Sequence, residues 1–330
     1  MFEKFIDKKV WDCTLKYIRM MRINKEKFFE SLKDSKSVER YASEISKLWN
    51  VDHSFMTDAI NELSIMVKDR DVSLALKYGD DLTQRSIKLQ NTWQEYNNID
   101  YQVYKLNPER DFTLMEQRYV NRHISYYKNQ LKAVDNALDK DSYLSTIVSK
   151  YDKIDKSIPY FSHTTGQIVS YQTIATYNSM LFNWNLTHSA WNRTEYDSKL
   201  LGNNLWYLPA HPYACPHCME YQGKVYTTDP KDKRYPQKED AIRGGVGHPN
   251  CKHVWTLYWS KEQIQEDKYN SAEWEEKYRN EQKLQSLDLE KSRLLSDRRI
   301  YKSLGDEAKV DEITSKIKAI REKKKQIDQS

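Results

Sequence analysis

The chain has 330 residues, of which 38% are hydrophobic and 31% charged, and its 53 basic and 48 acidic side chains leave a net charge of +5. This length accommodates two or three units of ordinary domain size, and the near balance of charge excludes the strongly basic stripe of a dedicated nucleic-acid binder. No run of about 18 apolar residues occurs, so no membrane span or anchor is expected; the stretch from Met1 to Lys9 lacks the apolar segment of a secretory signal.

Tyrosine and tryptophan are abundant, at 24 and 9 residues. Both are amphipathic and enriched at interfaces, which favours an elongated molecule that buries aromatic surface against partners; the alternative is a core in which tyrosine replaces other aromatics. Glycine and proline number only eight each, as long helices with few tight turns require.

Residues 1–158 read as helical. Phe55, Ala59, Leu63 and Met66 recur at helical spacing, as do Met115, Tyr119, His123, Tyr127 and Leu131. Asn107-Pro108 is a turn signal, and Thr113 to Glu116 has capping-box spacing, predicting a helix start there. The segment from Ser157 to Gly166 breaks the pattern and marks the first boundary. A long helix is predicted next, with Tyr171, Ile174, Tyr177, Leu181 and Trp184 on its apolar stripe and Gly202-Asn203-Asn204 as its stop. Leu205–Leu208, Lys224–Thr227 and Val254–Trp259 are short, aromatic and β-branched, and predict a small antiparallel sheet. Beyond Ser260 the chain is charged and helical. Leu284, Leu287, Leu294 and Tyr301 share a stripe, Gly305-Asp306 interrupts it, and Val310, Ile313, Ile317, Ile320 and Ile327 resume it, as in a helical hairpin or coiled coil.

Three of the four cysteines cluster around that sheet: Cys215, Cys218 and Cys251, with Cys13 far away in sequence. A disulfide framework uses an even, dispersed set, so a reducing compartment is the simpler expectation. Cys215-Pro-His-Cys218 forms one knuckle in which two sulfurs can face one ion, and His248-Pro-Asn-Cys251 supplies a second pair. Four nitrogen and sulfur ligands suit a structural zinc ion and leave no open position for catalysis. Cys215, Cys218, His248 and Cys251 are the expected ligands. His253, two residues beyond Cys251 and hence on the same face of an extended chain, is the alternative fourth ligand, with His211 and His217 as outside choices. The expected fold class is thus mainly α with a small α+β zinc-knuckle domain: 1–158 helical, 159–260 carrying the sheet and cluster, and 261–330 a charged helical hairpin or coiled coil.

Catalytic patterns are weak. The chain has no Walker-type phosphate loop, no Gly-x-Ser-x-Gly elbow and no His-Glu-x-x-His. His248 and Asn250 invite comparison with nucleases of the His-Asn-His type, but no histidine follows His253 to complete such a site. His53, His123, His163 and His188 are expected to be surface or packed residues.

The stretch from Ala214 to Tyr226, ACPHCMEYQGKVY, and that from Gly247 to His253, GHPNCKH, together resemble the motif of tailed-phage minor capsid proteins, the Mu F-like head-morphogenesis proteins and the related minor capsid protein 2 group. The resemblance is clearest over about residues 165–260, and the charged helices from Glu281 to Gln326 are similar to tails in that group. The motif often ends in Cys-Arg-Cys or Cys-Arg-His, where this chain has Cys251-Lys252-His253. The resemblance implies a structural, non-enzymatic head protein, assembled in the host cytoplasm and built into the virion near the portal. Its partners would be portal protein and capsid subunits, with contact to packaged DNA. The rival functions are a nuclease or toxin effector ejected with the genome, and a host-side zinc-finger DNA-binding module.

Overall fold

The computed structural model describes residues 2–80, 108–161, 167–211, 214–264 and 271–329. It is mainly helical. In chain order it has α1 (Phe2–Lys33), α2 (Val38–Leu48), α3 (Ser54–Tyr78), α4 (Pro108–Asp135), α5 (Lys140–Asp155), β1 (Ile158–Phe161), β2 (Ile168–Gln172), α6 (Ile174–Leu201), β3 (Leu205–Leu208), α7 (Pro216–Met219), β4 (Lys224–Thr227), α8 (Lys238–Arg243), β5 (Thr256–Leu257), α9 (Ser271–Ser303) and α10 (Glu307–Gln329). The chain forms two compact units, each assembled from separated stretches: 1–10, 53–108 and 180–279 make the first, and 11–52, 109–179 and 280–330 the second.

In the second unit the core combines aliphatic side chains with a cluster of tyrosines. Tyr17, Tyr41, Tyr127 and Tyr151 are fully buried together with Phe28 and Phe112, and the Tyr41 and Tyr127 rings stack with centroids 4.1 Å apart. A buried phenol is costly to leave without a partner, and of these four only the Tyr41 hydroxyl lacks one among the described residues. Tyr17 donates to Glu116 at 2.5 Å, Tyr119 to Asp155 at 2.6 Å and Tyr127 to the Ser31 carbonyl at 3.0 Å, while the Tyr151 oxygen accepts from Asn24 at 2.8 Å. His123, fully buried, is held between the Tyr119 carbonyl and Asp155.

The middle of the predicted α4 row, Tyr119, His123 and Tyr127, is buried, while its ends, Met115 and Leu131, are only partly so. The helix starts earlier than predicted: α4 already runs from Pro108. Thr113 is exposed within the helix, and the Glu116 carboxylate is taken by Tyr17 rather than by a helix terminus. Asn107 lies outside the described residues. In α3 the buried row is Met56, Ile60, Leu63 and Val67 with Ala59, so Phe55 and Met66 sit at its margin.

The predicted break after Ser157 holds a β-hairpin, β1 and β2 pairing antiparallel from Ile158–Gln172 to Phe161–Ile168; residues 162–166, His163 among them, lie outside the described residues. Tyr171 therefore belongs to β2 and is exposed, and α6 begins three residues later. The C-terminal helices pack against each other as a hairpin, with Ile313, Ile317 and Ile320 buried and Lys324 reaching Asp288 at 2.6 Å. Gly305, at φ +74°, makes the turn between them in a conformation that costs glycine little.

Lys25 joins α1, α5 and α9. It is 3% exposed and its ammonium lies 2.7 Å from Asp152 and 2.5 Å from Asp297. Removing one partner of a buried ionic cluster leaves the others uncompensated. Lys25→Ala is therefore expected to destabilise the second unit by about 3–5 kcal/mol, measured as a drop in its denaturant midpoint.

Candidate metal centre

The first unit contains a three-stranded antiparallel sheet in the order β4-β3-β5, with Leu205 opposite Thr227 and Trp206 opposite Leu257. β3 and β4 coincide with the predicted strands. The third strand is shorter than the aromatic run Val254–Trp259 suggests, and only Thr256 and Leu257 pair. The sheet buries Trp206, Leu208, Tyr226 and Leu257 in one core with Trp191, Val246, Trp255, Cys218 and Cys251. The Lys238 ammonium caps this core 3.3 Å from the Trp206 ring centroid, and burial pushes the amine down to about 8.

The first knuckle follows β3. Cys215 precedes the single turn of α7, Pro216 occupies its first position, and the amides of Cys218 and Met219 both return to the Cys215 carbonyl. The Gly223 amide then bonds to the Leu208 carbonyl at 2.7 Å, which leads the chain back into β4. The second knuckle follows α8: the His248 amide bonds to the Gly245 carbonyl and the Cys251 amide to the His248 carbonyl, at 3.2 and 2.7 Å. Gly247 has φ +93°, and a Cβ there would meet the Trp191 ring at 2.5 Å, so only glycine lets the turn sit against that indole.

These turns bring the predicted ligands together in two overlapping groups that could hold a metal ion. Cys215, Cys218 and His248 form one, and Cys218, Cys251 and His253 the other, with the ligand atoms of each group within 4.8 Å of one another. Cys218 is common to both. The Cys215 sulfur lies 3.1 Å from His248 Nε2, the sulfurs of Cys218 and Cys251 are 3.9 Å apart, and Cys251 is 3.7 Å from His253 Nδ1. Cys218, Cys251 and His253 are buried, while Cys215 and His248 are partly exposed.

The protonation pattern follows from this crowding. A hydrogen bond from Cys218 holds the Cys215 thiol down at about 4 against the effect of burial, and His248 adds to it. Cys251 is likewise pushed well below its usual value, first by Cys218 and then, against burial, by His253, whereas Cys218 is raised because it keeps its proton beside two thiolates. Burial opposes the charging of His248, yet its contact with Cys215 carries it above the ordinary imidazole value. Two of the three sulfurs are thereby poised as thiolates, the form that binds metals.

His211 and His217 belong to neither group among the described residues. His211 is buried with its ring centroid 4.1 Å from that of His253, and His217 is exposed. Gln222 was not signalled by the sequence; its Oε1 lies 3.0 Å from His253 Nε2 and accepts from the His211 amide at 3.2 Å, fixing His253 so that Nδ1 faces Cys251. The middle motif residue, Lys252, turns aside and pairs with Asp7.

The segment from Pro249 to Trp255 carries Cys251 and His253 but no regular structure. Its alternate carbonyls go to side chains of α6. Asn183 Nδ2 donates to Pro249 and Cys251 at 2.9 and 3.0 Å, Thr187 to Cys251 at 2.9 Å, Trp191 Nε1 to His253 at 2.7 Å, and Thr194 to Trp255 at 3.2 Å. Arg70 of α3 adds a donor to Trp255 at 2.8 Å and is itself held by Asp71, whose carboxyl burial pushes up to about 6 against the pull of Arg70. Four residues of helix advance about 6 Å and two residues of extended chain about 6.6 Å. Thr187 and Trp191, four apart, therefore keep step with the Cys251 and His253 carbonyls, and Thr194, three residues on, lies on the same helix face and reaches Trp255. The apolar stripe predicted for α6 is corrected accordingly. Ile174 is buried, but Tyr177, Leu181 and Trp184 are only partly so, and the buried positions include Asn183, Thr187 and Thr194.

A family model described as phage minor capsid protein 2 matches residues 154–328, more than half of the chain. No curated protein and no solved structure matches it.

Asn183 serves two buried carbonyls and Thr187 shares one of them, so their loss should be unequal. Asn183→Ala is expected to cost about 1–3 kcal/mol, the scale of a buried group left unpaired, and Thr187→Val less. Hydrogen exchange over 249–255 should accelerate in the same order.

Proposed function

The chain belongs to the phage minor capsid protein 2 family, and from that membership we propose that it is a structural protein of the phage head, associated with the portal and the inner head surface, whose Cys/His cluster holds one zinc ion. The family match over residues 154–328 carries the capsid reading. It spans the hairpin β1-β2, the cluster and both C-terminal helices, so the sheet with its knuckles and the charged helices would serve head assembly together. The partners in this reading are portal and capsid subunits, with packaged DNA as a neighbour, and no helix of the described residues is long and apolar enough to cross a membrane.

The donor set supports zinc. Three sulfurs and an imidazole are soft and borderline ligands that suit it and disfavour calcium or magnesium. A tetrahedral ion with zinc–sulfur bonds of about 2.3 Å sets two sulfurs about 3.8 Å apart, and Cys218 and Cys251 lie 3.9 Å apart. Cys215, Cys218, His248 and Cys251 are the proposed ligands, with His253 as the alternative to His248. Four protein ligands close the site, so the ion would fasten the two knuckles rather than activate water.

Protein purified without chelator is expected to contain about one zinc per chain. Cys215→Ser or Cys251→Ser should lose it and make residues 200–260 protease-sensitive, since structural zinc contributes folding free energy; full retention of metal would refute the assignment. Comparing His248→Ala with His253→Ala identifies the fourth ligand by which variant loses zinc. For the capsid role, mass spectrometry and reconstruction of purified virions should find the chain beside the portal. Metal-dependent DNA cleavage abolished by His248→Ala would instead establish the nuclease reading.

A further inference from the structure

Within the second unit a cavity of about 280 Å³ lies where α1, the end of α5, the start of α6 and α9 meet. The space is far more than the roughly 10–15 Å³ that one water needs. Ser296 lines it, is 1% exposed, and its hydroxyl has no hydrogen-bond partner among the described residues. Nε of Arg22, another lining residue, is also buried without a hydrogen-bond partner, its nearest carboxylate being Glu26 at 4.0 Å.

Two further features have the same sign. Among the described residues Arg293 pairs with Asp152, at 3.9 Å, and that carboxylate is already held by Lys25 at 2.7 Å. The N-terminus of the 28-residue helix α6 opens on the cavity through Thr173, Ala175 and Thr176. The Thr173 hydroxyl caps the Thr176 amide at 3.2 Å, whereas the amides of the first helical residues have no acceptor within their own helix. A helix start with two guanidinium groups and a spare hydroxyl is an arrangement suited to an oxyanion.

We propose that this cavity binds a small phosphate-bearing molecule, its anion seated among Ser296, Arg22, Arg293 and the start of α6. Apolar Ile18, Met21 and Leu289 supply a wall for the remainder of the ligand. Asp152 and Asp155 also face the space, which disfavours a polyanion such as DNA and favours a compact ligand whose charge is confined to one end.

The test is calorimetric titration of the full chain with inorganic phosphate and with adenosine monophosphate. Saturable binding is expected, tighter for the nucleotide, and weakened about tenfold or more by Arg22→Gln and by Ser296→Ala, the scale of one charge-assisted hydrogen bond. Lys316→Gln, on the exposed side of α10, should leave it unchanged. Circular dichroism confirms that each variant folds, and Arg293→Gln replaces any that does not. Absence of saturable binding by either probe, or affinity unchanged in the folded cavity variants, would overturn the proposal. So would displacement of phosphate by duplex DNA through Arg22, which would make the site a DNA contact.

Discussion

Between Pro249 and Trp255 the chain passes its backbone carbonyls to the side chains of one helix, and the candidate metal centre depends on that transfer. A buried carbonyl without a donor costs about 1–3 kcal/mol, and this segment presents four in alternation. Sheet pairing does not satisfy them, because β5 begins only at Thr256. Asn183, Thr187, Trp191 and Thr194 take that part, and their spacing of three and four residues keeps all of them on one face of α6. The same alternation sets Cys251 and His253 on one face, where their ligand atoms lie 3.7 Å apart.

The two knuckles meet because each is closed by its own backbone before it meets the other. Cys215 and Cys218 are fixed by a single helical turn, and His248 and Cys251 by the turn that Gly247 allows against Trp191. A bound ion would then join two preformed turns rather than organise loose chain, which lowers the ordering cost of binding. The crowding of sulfurs around Cys218, with Cys215 and Cys251 held as thiolates, is the electrostatic counterpart of that preformation.

The second unit meets a different constraint. The chain as a whole is only 38% hydrophobic, and this core includes tyrosines, each of which brings a hydroxyl that is costly to leave unpaired. Glu116, Asp155, Asn24 and the Ser31 carbonyl serve Tyr17, Tyr119, Tyr151 and Tyr127, whereas the buried Tyr41 hydroxyl has no hydrogen-bond partner among the described residues and its ring is held by stacking on Tyr127. The aromatic excess in the composition is therefore spent at least partly inside the molecule, not wholly on partners.

The sequence by itself determined the helical character, β3 and β4, the turn at Gly305 and the grouping of three cysteines with histidines, because each is written in local spacing or composition. It also carried the family motif. It did not reveal the β1-β2 hairpin, since an exposed strand such as Ile168–Gln172 shows no burial alternation. Nor did it reveal why α6 buries Asn183, Thr187 and Thr194. Those residues break an apolar stripe, and their purpose becomes visible only when a segment some sixty residues away lays its carbonyls beside them. Which histidine faces which cysteine was likewise a tertiary decision, because Gln222 and the knuckle backbone, not ligand spacing, fix the two imidazoles.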